Sequence, residues 1–219
     1  MKRNVINFCL GLSAGCLSLV LSGCISMSTS PTPRFYVLQA VDGNQVSKQM
    51  NIASGVLIGV GPLKIPEYQD RPQMVTLDKE KMIKFAQFDR WGESLGLGMG
   101  RLIREDLTAM LPAAQLTSYP WNPSLSVKYQ VTIEIVQLDS ELDKDLLLVV
   151  QWLIIDPKNA KTLMIKRSEF RQPIAPQNYA GLATTLSAAC ASLSSEIAAS
   201  LATLETRPQT KEDASASKE

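Results

Sequence analysis

The sequence predicts an α/β fold of the α+β type: a single domain in which a mixed, largely antiparallel sheet carries two main packed helices. Three observations predict it. The elements read in the order short strands, helix, long strands, helix, which suits helices packed on a sheet. Residues 127–138 alternate apolar and polar side chains with the period of a half-buried strand. Two further segments repeat apolar residues at steps of three and four, the period of an amphipathic helix.

Phe35 to Gln39, Val56 to Val60 and, after Pro72, Gln73 to Leu77 are short β-branched or aromatic runs and read as strands. A helix follows from about Glu93 to Leu111, with Leu95, Met99, Ile103, Leu107 and Met110 on one stripe and Pro112 at its end. In the next strand Val127, Tyr129, Val131, Ile133 and Ile135 face one way and Lys128, Gln130, Thr132 and Glu134 the other. Leu146 to Ile155 is apolar on both faces apart from Gln151, as in a central strand covered on both sides or covered by a partner subunit. Thr162 to Phe170 continues the sheet after a turn at Asp156 to Lys161. The second helix spans about Pro176 to Glu205, with Leu182, Leu186, Ala189, Leu193, Ile197, Leu201 and Leu204 on its stripe. Its other face is Ser, Thr and Ala, with Glu196 the only charge before Glu205. That face reads as a weakly polar surface or as a contact with a neighbouring subunit.

The start of the chain is an export signal. Lys2 and Arg3 precede an apolar stretch from Val5 to about Val20, and Leu21, Ser22, Gly23 and Cys24 follow as a lipobox. The alternative, a single transmembrane anchor, is short: ~17 apolar residues interrupted by Asn7 lie at the lower limit for spanning. Residues 1–23 are therefore expected to be removed, and Cys24 to carry diacylglycerol and an N-acyl chain as its only prosthetic group. Each buried methylene contributes ~0.8 kcal/mol, so such an anchor holds firmly. Ile25 stands where an Asp would retain a lipoprotein at the inner membrane of enteric bacteria, which directs the expectation to the outer membrane, on its periplasmic face. Residues 24–33, rich in Ser, Thr and Pro, read as a tether of at most ~30 Å. The domain covers 34–205, and 206–219 is a polar tail.

Losing Lys2 and Arg3 takes the 22 basic residues to 20 against 21 acidic ones, which gives no case for nucleic acid. Of the four cysteines, Cys9 and Cys16 leave with the signal and Cys24 is acylated, so Cys190 has no disulfide partner and reads as a small buried residue. The chain contains no histidine. That excludes Ser-His-Asp and Cys-His nucleophiles and the usual catalytic zinc sets. Carboxylate-only or Ser-Lys chemistry survives the exclusion without a motif to support it.

Gly96, Gly98 and Gly100 fall inside a helical stripe and lack the strand, turn and helix context of a phosphate loop. Small residues there read as room for another backbone. Asp139, Glu141, Asp143 and Asp145 have alternating spacing, but Lys144 and Val150 stand where a calcium loop needs Gly and Glu, so no metal is assigned and a solvated hairpin tip is the plainer reading. Two loop clusters stand out. Between Pro66 and Pro72, which stiffen a connection, lie Tyr68, Asp70 and Arg71, with Asp70 able to pair with Arg71 or cap the turn. Phe88, Asp89, Arg90, Trp91, Gly92 and Glu93 then lead into the first helix. Arg and aromatic residues in loops serve as interface anchors, and a Trp packed on its own core is as common.

The ordered set Ile58 to Val75, with its Ile-Pro-x-Tyr-x-Asp-Arg-Pro-x-Met-Val core, then Arg90, Trp91, Glu93 and Leu95, then Pro120 and Trp121 ahead of Tyr129 and Val131, resembles the ABC-type transport auxiliary lipoproteins, in their paraquat-inducible protein C branch. Gly92 and Ser94 depart from the Ala and Pro expected there. The resemblance spans most of Arg34 to Glu205 and implies a non-enzymatic outer-membrane lipoprotein. Such a protein would work with an MCE-domain periplasmic tunnel protein to move lipids between membranes, as the docking end of the tunnel and as a ring-like homo-oligomer. A lipid or small-ligand binding lipoprotein is the alternative.

Overall fold

The computed structural model describes residues 31–40 and 49–206. Leu21, Ser22, Gly23 and Cys24, the tether as far as residue 30, and the tail from residue 207 lie outside the described residues. The elements are β1 (Arg34–Tyr36), β2 (Leu57–Lys64), β3 (Gln73–Leu77), β4 (Ile83–Trp91), α1 (Leu95–Met110), β5 (Gln115–Ser118), β6 (Tyr129–Ser140), β7 (Asp145–Asp156), β8 (Lys161–Pro173) and α2 (Tyr179–Thr206).

The strands form two sheets where the sequence predicted one: a small sheet ordered β1-β4-β3 and a larger one ordered β5-β2-β6-β7-β8. Both are mixed. β2 runs parallel to β5 and β6, whereas the long β6, β7 and β8 pair antiparallel. In the small sheet β1 is parallel and β3 antiparallel to β4. β4 and β5 were not expected. β5 is four residues long, too short for a periodic signal. β4 loses its alternation to a register shift, in which Gln73 and Val75 on β3 face Arg90 and Phe85 on β4. The extra residues on β4 form a bulge, and the cluster read as a loop before the first helix is the end of this strand.

The long strands follow their pattern. Tyr129, Val131, Ile133 and Ile135 are buried and Lys128 and Glu134 exposed until a bulge at Val136 resets the alternation and returns Leu138 to the core. β7 is central, as expected, but only one of its faces is under the helices. Leu146, Leu148, Val150, Trp152 and Ile154 are fully buried there. On the other face Val149 sits between Gln137 and Glu169, and Leu147, Leu153 and Ile155 are half-buried.

The predicted stripe of α1 is wholly buried, and that of α2 is buried from Leu182 to Leu201. Both stripes join the β6 and β7 side chains in one hydrophobic core. α2 begins three residues later than expected, capped by Asn178, whose Oδ1 accepts the Gly181 amide at 2.9 Å. Its C-terminal end is fixed to β6: Glu205 accepts from Lys128 at 2.7 Å and from the Tyr129 hydroxyl at 2.8 Å. Burial raises the Glu205 pKa, but these two donors outweigh it and leave the group below the usual Glu value. Cys190 is buried on α2 as anticipated, and burial, with Asp106 nearby, pushes its thiol well above the usual range.

Among the described residues no neighbouring backbone packs against the three helical glycines. A side chain at Gly96 would meet Ile65, one at Gly98 would meet the Glu93 side chain, and one at Gly100 would enter open space. The close approach lies elsewhere. Gly59 on β2 leaves the room occupied by the Trp121 indole, and Gly61, at φ +118°, lies under Tyr119.

Candidate functional site

The two clusters singled out in the sequence are adjacent in space. Pro66 opens a single 3₁₀ turn over Glu67–Gln69, from which Gln69 points inward and donates to the Leu138 carbonyl at 2.7 Å. The Tyr68 hydroxyl reaches the same carbonyl at 3.5 Å. Burial, then the charge of Asp139, raises the Tyr68 pKa. The connection therefore grips the end of β6, and its far side meets β4: Pro72 accepts the Trp91 amide at 2.7 Å and Gln73 pairs with Arg90. Asp70 does not pair with Arg71. It accepts the Ser94 hydroxyl at 3.2 Å, so it ties the connection to the start of α1. The Arg71 guanidinium lies 4.1 Å from the centre of the Phe85 ring.

Because β4 is a strand here, Arg90 and Trp91 point to opposite sides. Trp91 enters the core, where its indole N–H is buried without a partner among the described residues. Arg90 stays half-exposed beside Phe35 of β1. Asp89, one residue earlier, is buried and accepts from Arg34 at 2.8 Å and from the Tyr36 hydroxyl at 2.9 Å. This joins β1 to β4 by side chains as well as backbone. Arg101 of α1 completes the corner by donating to Glu93 at 2.6 Å, to Glu105 at 3.1 Å and to the Leu38 carbonyl at 3.0 Å. The Glu93 hydrogen bond holds Arg101 above its ordinary pKa. Asp89 was legible only as a charge in sequence, since Arg34 lies 55 residues away, and of the Arg101 contacts only the one to the Leu38 carbonyl, 63 residues away, is long-range.

The acidic residues do sit at a hairpin tip, between β6 and β7, and three of the four are neutralised by the chain itself, while Asp139 accepts from the Gln137 amide at 2.6 Å. Glu141 pairs with Lys81 and, at 3.6 Å, with Lys144; Asp145 pairs with Arg171 at 2.9 Å and Asp143 with Lys79 at 3.8 Å. The Lys81 hydrogen bond lowers the Glu141 pKa despite partial desolvation, and Glu141 raises that of Lys81. Among the described residues no group of three or more Cys, Asp or Glu is arranged to hold a metal. An open cleft of about 550 Å³ beside the tip is lined by Tyr68, Ile83, Asp139 and Leu147 among others. A second, of about 580 Å³, lies along Pro62, Ile65, Gly96, Leu97 and Tyr119.

A family model described as the ABC-type transport auxiliary lipoprotein component matches residues 36–198. The chain belongs to that family. This auxiliary lipoprotein is thus an accessory of a transport system, and its membership of a lipoprotein family goes with a membrane-anchored, non-cytoplasmic protein. The family is one of auxiliary components and not of known enzymes. No curated protein matches the sequence. Among solved structures, an uncharacterized protein superimposes with a TM-score of 0.64 at 15% identity, over 78% of this chain and 99% of that one. A Xanthomonas campestris protein does so with a TM-score of 0.59 at 9% identity, over 75% and 92%. At these identities the likeness is one of fold. In the auxiliary lipoprotein described here the matched segment contains the whole corner built from Tyr68, Asp70, Arg71, Pro72, Arg90 and Trp91.

Proposed function

We propose that this chain is a non-catalytic subunit of an MCE-type intermembrane lipid transport system, anchored to the outer membrane by lipid on Cys24 and docking the periplasmic tunnel there. The family match over residues 36–198 carries the reading, because it covers both motif segments and the core that holds them together. The corner gives it a physical basis: residues 66–73 and 90–94 are cross-linked by backbone and side-chain hydrogen bonds, a preorganised surface that loses little freedom on docking. Self-association into a ring is supported by α2, whose exposed face carries Thr184, Ala188, Ser195, Ala199 and Thr203. The Thr184 and Thr203 hydroxyls donate to carbonyls four residues earlier, so the face is smooth and needs few outside partners. A ring would then dock multivalently, with avidity beyond any single contact.

Crosslinking of intact membranes followed by affinity purification tests the partner. Recovery of an MCE-domain protein with the wild-type chain supports the proposal, and its absence under conditions that crosslink the chain to itself refutes it. The cleft along Leu97 and Tyr119 favours a second reading, a lipid-binding lipoprotein, which stoichiometric phospholipid in extracts of the purified protein would support.

A further inference from the structure

One face of the small sheet is bare over much of its area, although Val75 is buried on it and Leu77 and Ile83 border the cleft shared with Asp139 and Glu141. Register places Phe35 beside Arg90, Phe85 beside Val75 and Ile83 beside Leu77, all on the side opposite the buried Met74, Ala86 and Trp91. Val37 follows Phe35 on the same side. Phe35 is 66% exposed, Val37 51%, Ile83 43% and Phe85 50%. A sheet buried on one face ordinarily turns polar residues to water on the other, and a contiguous apolar patch in that position marks an interaction surface.

The cations on and around the small sheet differ in their pairing. Arg34, Lys81 and Lys84 are paired with Asp89, Glu141 and Asp78. Arg71 and Arg90 have no carboxylate partner among the described residues, and each lies against an exposed phenylalanine, Arg71 over Phe85 and Arg90 next to Phe35. Aromatic rings with unneutralised guanidinium groups at their rim match the boundary between acyl chains and anionic phosphodiester headgroups.

We infer that this face rests on the phospholipid bilayer to which the chain is tethered, with Phe35, Val37, Ile83 and Phe85 at the acyl boundary and Arg71 and Arg90 at the phosphates. The inference builds on the reading of Cys24 as the lipid anchor. Only positions 25–33 separate Cys24 from Arg34, a reach of at most ~30 Å even fully extended. The chain coming from the anchor enters the fold at β1, the strand that presents Phe35 and Val37. Such a tether sustains an effective concentration on the order of millimolar, so a modest apolar patch suffices to keep the face down. A protein occupant would lack that covalent link to this edge of the fold.

The test uses the full lipidated chain in vesicles of phosphatidylethanolamine and phosphatidylglycerol with brominated acyl chains. Tryptophan reporters are placed by Phe35→Trp and, at the far end of the larger sheet, by Leu125→Trp, each read against wild-type emission. The face is supported if the Phe35→Trp reporter is blue-shifted and loses most of its added emission while Leu125→Trp keeps it. Weaker quenching with Arg71→Glu and Arg90→Glu adds further support. Equal emission from both reporters overturns the inference, as does a crosslink from position 35 to a protein partner without quenching. Flotation separates the two readings. If the wild-type chain floats without quenching at position 35, the anchor stands and the face is wrong. If it does not float, the anchor reading fails, and quenching of the unlipidated chain mixed with the same vesicles decides the face by itself.

Discussion

At the scale of single residues, the difference between Arg90 and Trp91 separates surface from core within one peptide bond. Trp91→Ala removes a large side chain from the hydrophobic core and is expected to cost about 3–5 kcal/mol of unfolding free energy. Arg90→Ala touches only the exposed face and should stay within about 0.5 kcal/mol. Urea denaturation of the two variants checks this, and equal losses would mean that Arg90 also supports the fold. Gly59 offers a second case, because any Cβ there overlaps the Trp121 ring. Gly59→Ala should destabilise by about 1–3 kcal/mol as an overpacked site. In a Trp121→Ala background the penalty should largely vanish, the coupling expected of residues in contact. A thermal double-mutant cycle measures it. Sequence pointed to Trp121 through the family resemblance but gave no hint of Gly59, whose only signal is the absence of a side chain.

At the scale of elements, the contact of the small sheet with the β6–β7 hairpin depends on charge. Glu141 has a lowered pKa in the folded protein, so the stability it contributes is present above the unfolded-state value and is lost as pH falls through the folded one. Lys81 has the opposite sign: its contribution is present below its ordinary pKa and fades only as pH rises through its raised value. Between the two the pair is intact. Acidification below the usual carboxylate range should therefore accelerate amide exchange in the segment around Lys81 and the hairpin tip before it does so in β7. Lys81→Gln should remove that early acid step, and an unchanged exchange profile in this variant would show that another carboxylate controls the junction. The acidic cluster was visible in sequence as a hairpin tip. Lys79, Lys81 and Arg171, which pair with it, were not, because they arrive from the turn before β4 and from β8.

For the whole molecule, light scattering of the unlipidated domain at micromolar concentration should give a discrete multimer, which Ala188→Arg and Ala199→Arg on the exposed face of α2 should convert to a monomer with thermal stability little changed. A multimer indifferent to both would locate the self-contact elsewhere. The sequence by itself determined the fold class, the helices and long strands and their buried stripes, because periodicity is a local consequence of which face of an element meets water. It also carried the family, through an ordered set of residues around Ile65 to Val75 and Arg90 to Leu95. Tertiary structure alone decided that there are two sheets and that β4 is a strand. It likewise decided that the two motif segments form one corner, and which side of the small sheet stays bare. Those outcomes depend on pairings between residues far apart in the chain, such as Phe35 with Arg90 and Gln69 with Leu138, and no local pattern of side chains encodes a partner that only folding brings near.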